Sequence, residues 1–292
     1  MSLRLEMLQV ARLAPNMLHD ATERVVEFLL GQFNDDGGCK DRSGTSDLYY
    51  TVFGLEALDA LRAEIPVDSV LSYLQQFEDG RDLDLVHVTC LARCWASMPD
   101  ESLDERIRKG VLARIEDFRT ADGAYNETPE DGGSIYHSFL ALGACQDLRS
   151  EPPACHKLTD CFEALETADG AYANETALPI GTTPVTAAAA TVLRYLQRPI
   201  PPKLGQWLLA QCHPEGGFLA MPLAPYPDLL STATALHALS GMQVSFEPVK
   251  ERCLNFLDSL WTGRAFCGHW ADDDVDAEYT YYALLALGHL SL

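Results

Sequence analysis

The chain has 292 residues, 47% of them hydrophobic and 22% charged, the balance of a globular protein with a large core. Its 43 acidic against 21 basic side chains give a net charge of −22, which argues against nucleic acid and anionic membranes, since both reward basic footprints. No apolar run reaches the roughly 18 residues of a membrane span, and the opening Met1-Ser2-Leu3-Arg4-Leu5-Glu6 lacks the apolar core of a secretory signal.

In chain order, the stretch from Leu5 to His19 predicts an N-terminal helix within residues 1–22. Thereafter a unit recurs about every 48 residues, with one copy shortened. The units run near 23–66, 67–100, 103–153, 155–202, 203–248 and 249–292. Each begins with an amphipathic helical stretch such as Glu23 to Phe33 or Leu204 to Cys212. Most then carry a glycine turn: Asp36-Gly37-Gly38, Asp122-Gly123-Ala124-Tyr125, Asp169-Gly170-Ala171-Tyr172 or Glu215-Gly216-Gly217-Phe218. Glycine suits a helix exit because the chain leaves through a left-handed conformation. A polar loop leads to Asp47, Asp84, Ser134, Thr182, Asp228 or Asp276. These are residue types that cap helix N-termini, and each opens a second, more apolar helix. Asp47 to Leu58, Asp228 to Leu239 and Asp276 to Leu287 align without gaps. No unit alternates like a strand. Helices apolar on most faces, such as Val185 to Leu196, predict an inner ring, with the first helices outside it. The expected fold is therefore all-α: one (α/α)6 toroid of six helical hairpins. The nine cysteines are widely spaced, with no Cys-x-x-Cys pair, as expected of free thiols in a cytoplasmic protein.

Gly-rich turns followed by Asp-x-x-Tyr-Thr-x-x-Ala-Leu helices, over roughly residues 23 to 292, resemble the prenyltransferase and squalene-cyclase repeat. The likeness is greatest to protein prenyltransferase β subunits, above all the geranylgeranyl transferase type II β subunit. The resemblance implies an isoprenoid diphosphate in a central apolar funnel, one Zn²⁺ activating a cysteine thiolate of an acceptor protein, and a helical partner subunit. It also implies a zinc site made of Asp-x-Cys opening the fifth inner helix and His opening the sixth. Here Asp228 is retained, but Leu230 replaces the cysteine and Tyr279 stands where the histidine belongs. Zinc needs three or four ligands, so the family's set is incomplete. The positions matching the family's diphosphate-neutralising residues are Ser134, Thr182 and the loop Met221 to Pro225, none of them basic. The cyclase branch carries Asp-x-Asp-Asp, which Asp272-Asp273-Asp274-Val275-Asp276 and Asp82-Leu83-Asp84 do not reproduce.

Candidate residues follow at two levels. Asp228, Asp276, Glu278 and Tyr279 are the catalytic candidates, because clustered carboxyls can share a proton and form an acid. Against this, capping alone accounts for an Asp at each helix start. Tyr49, Tyr50, Phe53, Tyr136, His137 and Tyr281 are candidates for lining a funnel around an isoprenoid or similar apolar ligand, although ring-to-ring packing accounts for aromatics there too. Asp272 to Asp276 reads either as a cation site or as a solvated acidic loop. Cys267, His269, Cys212 and His213 offer zinc-compatible types nearby. Three functions stand open: a diverged prenyltransferase, a metal-free terpene-cyclase-like enzyme, and a catalytically silent lipid-binding or scaffold toroid.

Overall fold

A computed structural model describes residues 2–292. Its helices are α1 (Leu3–Ala11), α2 (Pro15–Leu18), α3 (Thr22–Leu30), α4 (Leu48–Ala60), α5 (Val67–Gln75), α6 (Leu85–Ala96) and α7 (Glu105–Glu116). There follow α8 (Ile135–Asp147), α9 (Phe162–Leu165), α10 (Thr183–Tyr195), α11 (Leu204–Ala210), α12 (Leu229–Gly241), α13 (Glu247–Ser259) and α14 (Ala277–Leu290). The even-numbered helices from α4 to α14 each pack on the next, and α14 returns to α4, closing a ring. The odd-numbered helices from α3 to α13 lie outside it. One short antiparallel pair, Phe218–Leu219 with Pro227–Asp228, is the only named strand pairing among the described residues. No helix there is long and apolar enough to cross a membrane.

Local chemistry sets the register of the ring. Asp47, Asp84, Ser134, Thr182, Asp228 and Asp276 are the N-caps of the six inner helices, and all but Thr182 accept a backbone N–H with the side chain. Four residues after the cap, a buried hydroxyl ties the glycine turn to its helix. Thr51 accepts from Cys39 N at 2.9 Å, Ser138 from Tyr125 N at 3.2 Å, Thr186 from Tyr172 N at 3.1 Å and Thr232 from Phe218 N at 2.9 Å. A buried N–H in a loop must find such a partner, which is why the repeat keeps a hydroxyl there. The turn glycines answer to two constraints at once. Gly216 has φ of +101°, and a Cβ on it would stand 1.9 Å from Arg252 O of the following outer helix.

Two elements differ from the sequence expectation. The helix expected from Leu5 to His19 is broken, because Pro15 has no N–H to continue the ladder and instead starts α2. In the fourth unit the outer helix shrinks to a 3₁₀ turn, Cys155–Lys157, and the four-residue α9. Pro152 and Pro153 precede Ala154, which is left-handed at φ 50°.

The broken N-terminal helix has a definite place. α1 lies across the C-terminal ends of the inner helices: Leu3 N donates to Gln146 of α8 at 2.8 Å, Arg4 to Ser97 beyond α6 at 2.9 Å, and Arg194 of α10 to Glu6 at 2.5 Å. A Cβ on Gly288 of α14 would come within 2.1 Å of Val10 O, so this glycine permits the close approach. The ring is thus stoppered at one end and framed at the other by six helix N-termini.

Candidate functional site: the central cavity

Inside the ring lies a cavity of about 190 Å³. Its wall repeats with the helical period. The second residue after each cap gives an outer level of Tyr49, Val86, Tyr136, Pro184 and Leu230. The sixth gives a middle level of Phe53, Cys90, Leu140, Ala188, Thr234 and Tyr282. The ninth gives an inner level that includes Arg93, Gly143, Thr191 and His237. Leu3, Arg4 and Met7 of α1 form the floor. Aromatic edges meet along one side, with Tyr49 and Phe53 centroids 5.0 Å apart and Phe53 and Tyr282 5.3 Å apart.

This periodicity sorts the residues singled out from sequence. Tyr49, Phe53, Tyr136 and Tyr281 lie on the cavity wall. Tyr50 and His137 are the third residues after their caps, about 100° further round the helix, and are not among the lining residues. His137 instead pairs with Asn126 Oδ1 at 3.1 Å. Tyr279 has the same phase, and its ring lies beneath the Arg42 guanidinium at 5.4 Å from the ring centroid.

At the mouth, Glu278 is the second residue after its cap, in the column of Tyr49 and Tyr136. It is 9% exposed, and Tyr49 Oη donates to its Oε1 at 2.6 Å. Burial raises its carboxyl to about 7, with the Asp276 charge adding to the effect and the Tyr49 hydrogen bond opposing it. Asp276 is also held above the usual carboxylate range by burial. It caps α14 through Tyr279 N at 2.8 Å and accepts from Arg42 Nε at 2.8 Å. Arg42 also reaches Asp272 at 2.8 Å, so the cation that this acidic loop binds is an internal guanidinium. Asp228 is buried and raised for that reason, and Ser231 occupies both its oxygens, through N at 2.7 Å and Oγ at 2.8 Å.

His87 sits between two caps, with Nδ1 2.7 Å from Asp84 and Nε2 3.3 Å from Asp47. The Asp47 hydrogen bond, then that of Asp84, raises it to about 9 against the opposing pull of burial. A raised folded-state value means that the pair's contribution is complete below the ordinary histidine range and is lost as pH rises through 9. The His87 imidazole is therefore expected to titrate near pH 9 by NMR, and the midpoint should fall in Asp47→Asn. A wild-type midpoint near 6.5 would show the bridge to be open.

The mouth does not fit the zinc that the family resemblance implies. Among the described residues no three His, Cys, Asp or Glu side chains converge on a metal position. Leu230 faces the cavity in the Asp-x-Cys position, and Tyr279 packs against Gly268, where a Cβ would lie 2.6 Å from its ring. His269 stacks on Tyr226 at 6.4 Å and accepts from Ala271 N at 3.1 Å.

A second polar group, not singled out from sequence, lies at the floor. Glu56 of α4 is 1% exposed, and its Oε1 accepts from Arg93 Nη2 at 2.7 Å and Nε at 3.2 Å and lies 3.4 Å from Arg4 Nε. Asp147, at the end of α8, is on the cavity wall, and burial raises it to about 7 while the Arg4 and Arg93 charges pull it down. Arg194 and Glu6 pair beside His237, whose Nδ1 is 3.1 Å from His289 Nε2. Burial holds these histidines down, at about 4 and about 3.

A closed ring of six helical hairpins around such a cavity defines an α/α toroid. The chain belongs to the prenyltransferase alpha-alpha toroid domain family, whose model matches residues 5–84 and 185–291. The type II terpene cyclase MstE from Scytonema superposes with a TM-score of 0.63 at 13% identity, over 94% of this chain and 97% of that one. It has also been solved with geranylgeranyl dihydroxybenzoate as substrate. Candida albicans protein geranylgeranyltransferase-I, complexed with GGPP, gives 0.50 at 14% identity, over 96% of this chain and 81% of that chain. A glycosidase gives 0.59 at 11% identity, over 97% and 98%, so at this distance likeness establishes the fold and leaves the chemistry to the site. No curated protein matches the chain in sequence.

Proposed function

We propose that this is a prenyltransferase-β-like toroid whose central cavity accommodates an isoprenoid or similar apolar chain, without the zinc–thiolate chemistry of protein prenyltransferases. The observation that carries the reading is the wall itself. Tyr49, Phe53, Tyr136, Phe139 and Tyr282 present aromatic surface to a cavity that is apolar above its floor. The two neighbours solved with geranylgeranyl ligands support the ligand class. The retained Asp228 is used by its own helix as a cap. The mouth's cations Arg42 and His87 are each held between two carboxylates, a poor reception for a diphosphate.

One observation favours a second reading, that of a metal-free terpene-cyclase-like enzyme. Glu278 is half-protonated near neutrality and touches the cavity through Tyr49. With the carboxyl neutral it can donate to Tyr49 Oη, freeing the phenol proton to point inward. In a concerted relay, Glu278 would protonate Tyr49 Oη as the phenol proton passes to an alkene carbon; a C–H bond forms, the C=C π bond breaks, and a carbocation and the Glu278 carboxylate remain. Cation–π attraction from the Phe53 and Tyr282 rings would stabilise the positive charge.

Native mass spectrometry of the purified chain after incubation with farnesol and geranylgeraniol tests the first reading. One molecule per chain is the expected stoichiometry, lost in Ala188→Trp, which fills the middle level. Wild-type and Ala188→Trp protein binding both alcohols equally would overturn the cavity assignment. Turnover of a neutral polyene in chelator, abolished in Glu278→Gln, separates the cyclase from a silent binder.

A further inference from the structure

The floor holds more polar capacity than the protein itself satisfies. Asp147 Oδ2, Arg4 Nε and His237 Nε2 are buried without a hydrogen-bond partner among the described residues, while the Tyr281 hydroxyl is directed to Glu56. All three side chains line the cavity, as does Arg93, which holds Glu56. Unpartnered buried atoms are few in folded proteins, and their convergence at one end of an apolar cavity calls for something that answers them. Tyr281 is 0% exposed on α14.

We infer that the floor is a head-group site for a carboxylate, so that the cavity takes an amphipathic isoprenoid acid head-down, its tail running up between the aromatics toward the mouth. The inference rests on the apolar-ligand reading above and specifies the polar end of that ligand. Charge decides the chemistry. Two guanidinium groups, Arg4 and Arg93, share a single Glu56 oxygen. Arg93 gives Glu56 only Nε and one terminal nitrogen, and no hydrogen bond engages its other terminal nitrogen. With Asp147 in its neutral form, the group carries a surplus positive charge in a low-dielectric pocket, which an anion would neutralise. The donors left over (Arg93 and a protonated Asp147) are those a carboxylate accepts from. A hydroxyl or an ester would use fewer of them and leave the charge unbalanced.

A consequence is that binding is coupled to the proton on Asp147. The groups facing it are Arg4 of α1, Glu56 of α4 and Arg93 of α6, with uncharged Thr191 on α10. Further round the floor stand Glu6 with Arg194, and the neutral pair His237 and His289. Arg93 is held charged by Glu56 and Asp147, and burial keeps the two histidines neutral between pH 6 and 8, so neither reverses the coupling. As Asp147 ionises above about 7, a bound carboxylate meets a like charge and affinity falls.

The test compares farnesoic acid, methyl farnesoate and farnesol on the full-length protein by calorimetry at pH 6 and pH 8.5. The acid is expected to bind about ten-fold or more tightly than the ester at pH 6, the effect of hydrogen bonds to a charged group. That preference should shrink at pH 8.5 and persist there in Asp147→Asn. Equal affinity for acid and ester at pH 6 would overturn the head-group site and leave the apolar cavity standing. Failure of all three to bind would overturn both.

Discussion

Arg93→Met is expected to lower the unfolding free energy by about 3–5 kcal/mol, more than any other single substitution at the cavity floor. The reason is not the strength of the Arg93–Glu56 bridge but what its loss leaves behind. Glu56 is 1% exposed on an inner helix, and with Arg93 gone only the longer 3.4 Å approach of Arg4 would offset its charge. Removing one partner of a buried pair strands the other's desolvation cost, whereas removing both releases it. Glu56→Gln combined with Arg93→Met should therefore recover much of the loss, the signature of coupling rather than of two independent defects. Thermal melting checks this. The single variant should fall by roughly 10 °C, given some 2–4 °C per kcal/mol in a chain of this size. A drop no larger than the double variant's would show that the two charges are not bound to each other in the folded protein.

The same residues mark what the sequence conceals. The ring is legible because its instructions are local: a cap, a glycine turn and an apolar helix recur within each unit. Asp47, Asp84, Ser134, Thr182, Asp228 and Asp276 all stand where an N-cap must. Which helix face turns inward is not local, since inner helices are apolar nearly all round, and only the packed ring sets the phase. Tyr49 and Tyr50 are thus alike in sequence and differ in space, as do Tyr136 and His137. Charges set among apolar residues of the inner helices are the signal the sequence offers for the floor. Arg93 in Leu85–Ala96 and Glu56 in Leu48–Ala60 each demand a partner, but the partners lie 37 residues apart, and Arg4 reaches Ser97 across 93. Arg42 carries no such signal. It lies in a polar loop and meets Asp276 across 234 residues.

The second large effect expected is a stability that falls with rising pH and recovers on removing one carboxyl. Asp147 and Glu278 each hold their protons to about 7 in the folded chain, whereas unfolded carboxyls release theirs near 4. Between these values the folded state binds more protons than the unfolded state, so the unfolding free energy decreases as pH rises. The loss is complete once both groups have ionised, above pH 7, and amounts to roughly 3–4 kcal/mol per group. Capping carboxylates with lowered values, such as Asp47, contribute the opposite slope at lower pH, so the clean measurement is a difference between variants. Asp147→Asn keeps the shape and the neutral form of the side chain. It should raise the melting temperature over wild type by about 8 °C at pH 8.5, by less at pH 5 and not at all near pH 4. Glu278→Gln should follow the same curve at the mouth, where the hydrogen bond from Tyr49 survives the change. If Asp147→Asn instead destabilises the protein at pH 8.5, then the ionised Asp147 is answered by Arg4 and Arg93, its folded value lies below the unfolded one, and it is ionised at neutral pH as well. The floor would then be neutral without a ligand, and the physical case for an acidic head group would go with it.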